Sequence, residues 1–108
     1  MTMIDEYAMP ASLKRIIKRL SARQGVIGVV IVDPDGFVLD TQMDHLQAEI
    51  IAGYVQIIIG KTIDTIRTVK SFREITSITI ELHTKELIIT PDPNDLFTIV
   101  ILRDKSLD

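Results

Sequence analysis

Apolar residues recur at Leu13, Ile16, Ile17 and Leu20, the i, i+3, i+4, i+7 spacing of one helical face. The spacing predicts a first helix from about Ala11 to Arg23. Pro10 falls in its first turn, where a missing N–H removes no bond, and Gln24-Gly25 supplies the residue that ends it. The pattern then changes. Val26-Ile27-Gly28-Val29-Val30-Ile31-Val32 is an unbroken apolar run rich in β-branched residues and too short for a good helix, which predicts a central strand covered on both faces. Asp33-Pro34-Asp35-Gly36 carries the residues of a type I turn, and Phe37 to Thr41 reads as the returning antiparallel strand.

A helical rhythm without proline resumes from Leu46 to about Lys70, with Asp44 as a candidate N-cap. Stepping about 100° per residue, Ile57, Ile50, Tyr54, Ile58, Ile51, Val69, Val55, Ile66, Ile59 and Ile63 spread over an arc of roughly 240°, more than twice the width of one buried stripe. This helix needs cover on two sides. The strip that remains holds Glu49, Gly53, Gln56, Gly60, Asp64 and Arg67, and each glycine costs about 1 kcal/mol of helix stability relative to alanine. That cost points to close approach by another body, which makes the strip the candidate surface for docking a partner.

Glu74 to Leu82 alternates, with Thr76, Ile78, Ile80 and Leu82 on one side and Ile75, Ser77, Thr79 and Glu81 on the other, as in an edge strand with one wetter face. His83-Thr84-Lys85 turns the chain, Glu86 to Thr90 returns, Pro91-Asp92-Pro93-Asn94-Asp95 is a second turn, and Leu96 to Leu102 is a last apolar strand. The order is helix, two strands, long helix, three strands, an α/β (α+β) domain over residues 1–108 with its core at about 11–102. One sheet covers one side of the long helix. A two-fold dimer covers the other and also pairs the open edge, with Ile50, Tyr54, Ile57 and Ile58 from the helix and Ile75, Ser77, Thr79 and Glu81 from the strand as interface candidates. The competing arrangement is a monomer whose first helix packs on the second.

Composition narrows the class. With 46% hydrophobic, 25% charged and 5% aromatic residues in 108, the chain is neither disordered nor fibrous. It has no cysteine, so disulfides and thiolate metal sites are excluded. The first residues lack a secretory pattern and no apolar run nears the ~20 residues of a membrane span, so the expectation is a cytoplasmic protein without transmembrane insertion. A net charge of −3 argues against general nucleic-acid binding. Lys14, Arg15, Lys18, Arg19 and Arg23 nevertheless gather on the first helix, either as a solvated face or as a contact for an acidic protein, a phospholipid headgroup or RNA.

No reaction chemistry is signalled. Gly60-Lys61-Thr62 lacks the glycine of a phosphate loop, since position 55 is Val55, and it lies mid-helix. His45 and His83 lack metal-ligand spacing, even with Asp33, Asp35 and Asp44 added, and no serine sits in a nucleophile context. The expectation is no catalytic, metal or cofactor-binding residue.

The chain resembles the roadblock family, small domains that include dynein light chains and bacterial and archaeal regulators of small GTPases. The resemblance is carried by Gly25 to Asp33 with Asp35-Gly36, by Ala52-Gly53, and by Glu86-Leu87-Ile88-Ile89-Thr90-Pro91-Asp92 leading into Leu96 to Leu102, and it runs from about Leu13 to Leu102. It implies a profilin-like sandwich with a five-stranded antiparallel sheet, dimerising through the long helix and third strand into ten strands. It also implies a non-catalytic module that binds a Ras-like GTPase of the gliding or polarity type, as a GAP-like cofactor or effector platform. The alternative it implies is a structural adaptor, homodimeric or heterodimeric with a related chain, in a motor or membrane-associated scaffold indifferent to nucleotide state. A small-ligand sensor or enzyme on the same sheet is the third class.

Overall fold

The computed structural model describes residues 3–69, 75–94 and 96–107, with side chains from Ser12 onward. Its elements are α1 (Met3–Ser21), β1 (Val26–Val32), β2 (Val38–Thr41), α2 (His45–Arg67), β3 (Ile78–Glu81), β4 (Lys85–Pro91) and β5 (Thr98–Asp104), followed by a 3-10 turn at Lys105–Leu107. The five strands form one sheet in the order β2-β1-β5-β4-β3, antiparallel at every pairing.

The expected central strand is central. On one face of the sheet Val29 and Ile31 pack with Leu13 and Ile17 of α1. On the other, Val30 and Val32 join Ile89, Val100 and the Ala48, Ala52 and Val55 face of α2. Alternate residues of one apolar run thus serve two cores, which is why the run carries no polar position. The helices lie on opposite faces, so the monomeric arrangement with the first helix covering the second is not adopted.

Turn chemistry sets the boundaries. The Asp33 carboxylate accepts from the N–H groups of Asp35 and Phe37, both at 2.9 Å, while the Gly36 N–H donates to the Asp33 carbonyl at 3.0 Å. Gly36 sits at φ +93°, and a Cβ there would lie 2.9 Å from the Cγ of Gln56 on α2. Gly36→Ala is therefore expected to cost about 1–2 kcal/mol of stability, read as a lower denaturation midpoint. Gln56→Ala in the same chain should recover only the steric share. Asp44 caps α2 as expected, accepting from the Gln47 N–H at 3.2 Å.

Several boundaries differ from expectation. α1 starts at Met3 rather than near Ala11, because the upstream residues are competent helix formers, and Pro10 lies inside the helix rather than in its first turn. It ends at Ser21, two residues early, and Gly25 at φ +82° makes the reversal into β1. β3 is shorter than the Glu74 to Leu82 alternation. Its register pairs Ile78 with Ile89, which puts Pro91, with no N–H to donate, opposite Thr76. β5 starts at Thr98 rather than Leu96, because the Asp92 carboxylate takes the N–H groups of Asn94 and Leu96 and holds them in the turn. It also runs on to Asp104, where Arg103 and Asp104 face Glu86 and Lys85 across the ladder. Lys70, the expected end of the long helix, Glu74, the expected start of the third strand, and Asp95 in the second turn lie outside the described residues.

Candidate functional site

α2 is 23 residues long and apolar on two sides. Ala48, Ala52 and Val55 are buried on the sheet, with Ile51, Ile58 and Ile59 partly buried beside them. Opposite them runs a second stripe, Leu46, Ile50, Tyr54 and Ile57, at 67, 54, 65 and 58% exposure. The steps of four, four and three residues keep it on one line down the helix. Nothing among the described residues covers it, and four large apolar side chains in one row form the contiguous kind of patch that soluble domains rarely leave in water.

The stripe adjoins an apolar groove of about 380 Å³ between α2 and the sheet, lined by Ile51, Tyr54, Ile58, Ile80, Leu82 and Leu102 among others. β3 forms the outer wall of this side and is an edge strand, its free side unpaired among the described residues. Its alternation follows the sequence over 78–81: Ile78 and Ile80 are half-buried toward α2, whereas Thr79 and Glu81 are exposed.

The interface candidates therefore separate into three groups. Ile50, Tyr54 and Ile57 share the outward stripe. Ile58 instead packs against the core under the helix. Thr79 and Glu81 lie on the edge strand, while Ile75 and Ser77 precede it in irregular chain. Leu46 and the groove residues Ile80 and Leu82 belong to this surface without being singled out by the sequence. The signal for Leu46 is its place four residues before Ile50.

In the polar strip, Glu49, Gly53, Gly60, Asp64 and Arg67 are exposed. Gln56 is half-buried, held against the β1–β2 turn with its side-chain amide donating to the Asp33 carbonyl at 3.4 Å. That contact settles the orientation of α2: the strip flanks the β1–β2 turn and the groove flanks β3. Nothing among the described residues comes within 4 Å of a Cβ built on Gly53 or Gly60. The close approach their cost implies is not made by any described residue.

Lys61 and Thr62 are internal to α2, where the Thr62 hydroxyl donates to the Ile58 carbonyl at 2.7 Å. No group of acidic, histidine or cysteine side chains among the described residues could hold a metal ion. Among the described residues, Asp104 has a perturbed titration with a structural cause. The Asp104 carboxylate is held below its ordinary value by the Ser106 hydroxyl, then by the Lys85 ammonium and the Ser106 N–H. These bonds tie the C-terminal turn to β5 throughout the neutral and mildly acidic range, and are released only as pH falls through that lowered value.

An antiparallel five-stranded sheet with one helix on each face, an open edge and an exposed apolar helix stripe defines a small α+β domain. Residues 13–102 match the Roadblock/LC7 domain, and the chain belongs to that family. Domains of this family are generally non-catalytic adaptors and regulators. Among solved structures, the chain is similar in fold to a Roadblock/LC7 domain from Streptomyces avermitilis. The TM-score is 0.77 and the identity 14%, with 87% of this chain and 79% of that one covered. It is also similar to MglB with a tetrameric arrangement, at TM-score 0.76 and 13% identity, with 91% and 75% covered. No helix among the described residues is long and apolar enough to cross a membrane.

Proposed function

We propose that two copies of the chain pair through the α2 stripe and the β3 edge, and that the pair acts in the cytoplasm as a platform that binds and regulates a Ras-like small GTPase. The observation that carries this reading is the exposed row of Leu46, Ile50, Tyr54 and Ile57. A second α2 buries it, and antiparallel pairing of two β3 strands about the same two-fold axis removes the open edge, giving ten continuous strands. Membership in a family of adaptors and regulators supports the choice of partner class.

With the stripes paired, Glu49, Gly53, Gly60, Asp64 and Arg67 remain at the rim of the platform as the contact set for the GTPase. Gly53→Ala and Gly60→Ala test this set, because no described residue obstructs either methyl group. Each is expected to stabilise the free protein by about 0.5–1 kcal/mol while weakening GTPase co-elution. Tighter folding with unchanged GTPase binding would remove the strip from the interface.

The deciding experiment mixes the purified protein with small GTPases from the same source and measures co-elution and hydrolysis in both nucleotide states. State-dependent binding or altered turnover is the expected result. Binding indifferent to nucleotide with unchanged turnover would assign the adaptor role instead.

A further inference from the structure

The outward face of α1 carries charge that the fold does not use. The side chains of Arg15, Lys18, Arg19 and Arg23 are exposed without a bonding partner among the described residues, and Lys14 reaches Asp40 only at 3.7 Å with 74% of its side chain exposed. From Ser12 to Gln24 there is no acidic residue. Leu13 and Ile17 already fill the buried side of the helix, so the cations are not needed to place it. Arg15, Lys18 and Arg19 border a shallow depression that also includes Ile16 and Ala22.

We propose that this face of α1 is a docking surface for an anionic lipid bilayer. The net charge of −3 does not oppose it. Even the thinnest dimension of the molecule, 22 Å, exceeds two screening lengths of about 8 Å at physiological salt, so the far surface contributes little to the field above α1. A bilayer fits better than RNA, because this stretch has no aromatic side chain on which a base could stack. It also fits better than an acidic peptide, because the depression these cations border is shallow and open and does not enclose an extended chain. Apolar side chains set among cations match the boundary between headgroups and acyl chains.

Co-sedimentation with phosphatidylcholine vesicles, against vesicles of equal parts phosphatidylcholine and phosphatidylserine, tests the proposal. The full chain is expected to bind only the mixed vesicles and to be released by salt. Each basic residue near such a surface contributes roughly fivefold to binding, so the triple change Arg15→Gln, Lys18→Gln, Arg19→Gln is expected to weaken it on the order of a hundredfold. The control Lys61→Gln, on α2, should leave it unchanged. Absence of binding to mixed vesicles, an equal loss in the control, or preference for polyuridylate or polyglutamate over vesicles would overturn the proposal. Light scattering on the same samples separates the two readings, since a single-chain mass with α1-dependent vesicle binding removes the dimer and leaves the lipid surface standing.

Discussion

Ile57→Asp is expected to leave the chain folded and to convert the proposed dimer into single copies. Ile57 is 58% exposed in the isolated chain, so a carboxylate there stays in water and the monomer is scarcely affected. In the proposed pair the same carboxylate is buried against an apolar stripe, and the two-fold axis introduces it twice. A cost of at least about 4 kcal/mol follows, close to a thousandfold in the dissociation constant. The expected observation is a light-scattering mass equal to one chain beside an unchanged far-ultraviolet spectrum and thermal midpoint. If the wild-type protein already has the mass of one chain, the pairing is wrong.

Val55→Asp, two residues earlier and roughly 200° away around the helix, should behave in the opposite way. Val55 is 1% exposed and packed in the core that α2 shares with Val30, Val32, Ile89 and Val100. A carboxylate there has no partner in either state of assembly, and its cost of several kcal/mol is comparable with the whole stability of a small domain, about 5–15 kcal/mol. The expected result is loss of the cooperative thermal transition. Val55→Ala, at about 2 kcal/mol for two buried carbons plus the cavity, should only lower the midpoint. A folded Val55→Asp protein would mean that the helix does not seat on this face.

These two residues also show how far the sequence can be read. The wide apolar arc of the second helix was legible, since periodicity reports how much of a helix avoids water. The arc does not say which part faces the sheet. Ile57 and Ile58 look equivalent in sequence, yet one is on the outward stripe and the other against the core, because the orientation is set by a contact distant in sequence, Gln56 against the β1–β2 turn. The strands divide likewise. β1 matches its expected bounds because an all-apolar run has only one way to satisfy two cores. β3 and β5 shift because a proline across the ladder and the Asp92 carboxylate decide where pairing begins, and neither belongs to the pattern of the strand itself. The polar strip was legible as a strip, but Gln56 was not separable from Glu49 or Asp64 until its partner carbonyl was placed.

The strand order carries a further consequence for biogenesis. β1 is synthesised early and lies between β2, its immediate successor, and β5, which ends at Asp104. As the nascent chain leaves the ribosome, β1 can form a hairpin with β2 but has no neighbour on its other side until β5, the last strand of the sheet, has been synthesised. The main cooperative step must therefore wait for that strand, and during that interval the most apolar segment of the sheet has one ladder edge unsatisfied.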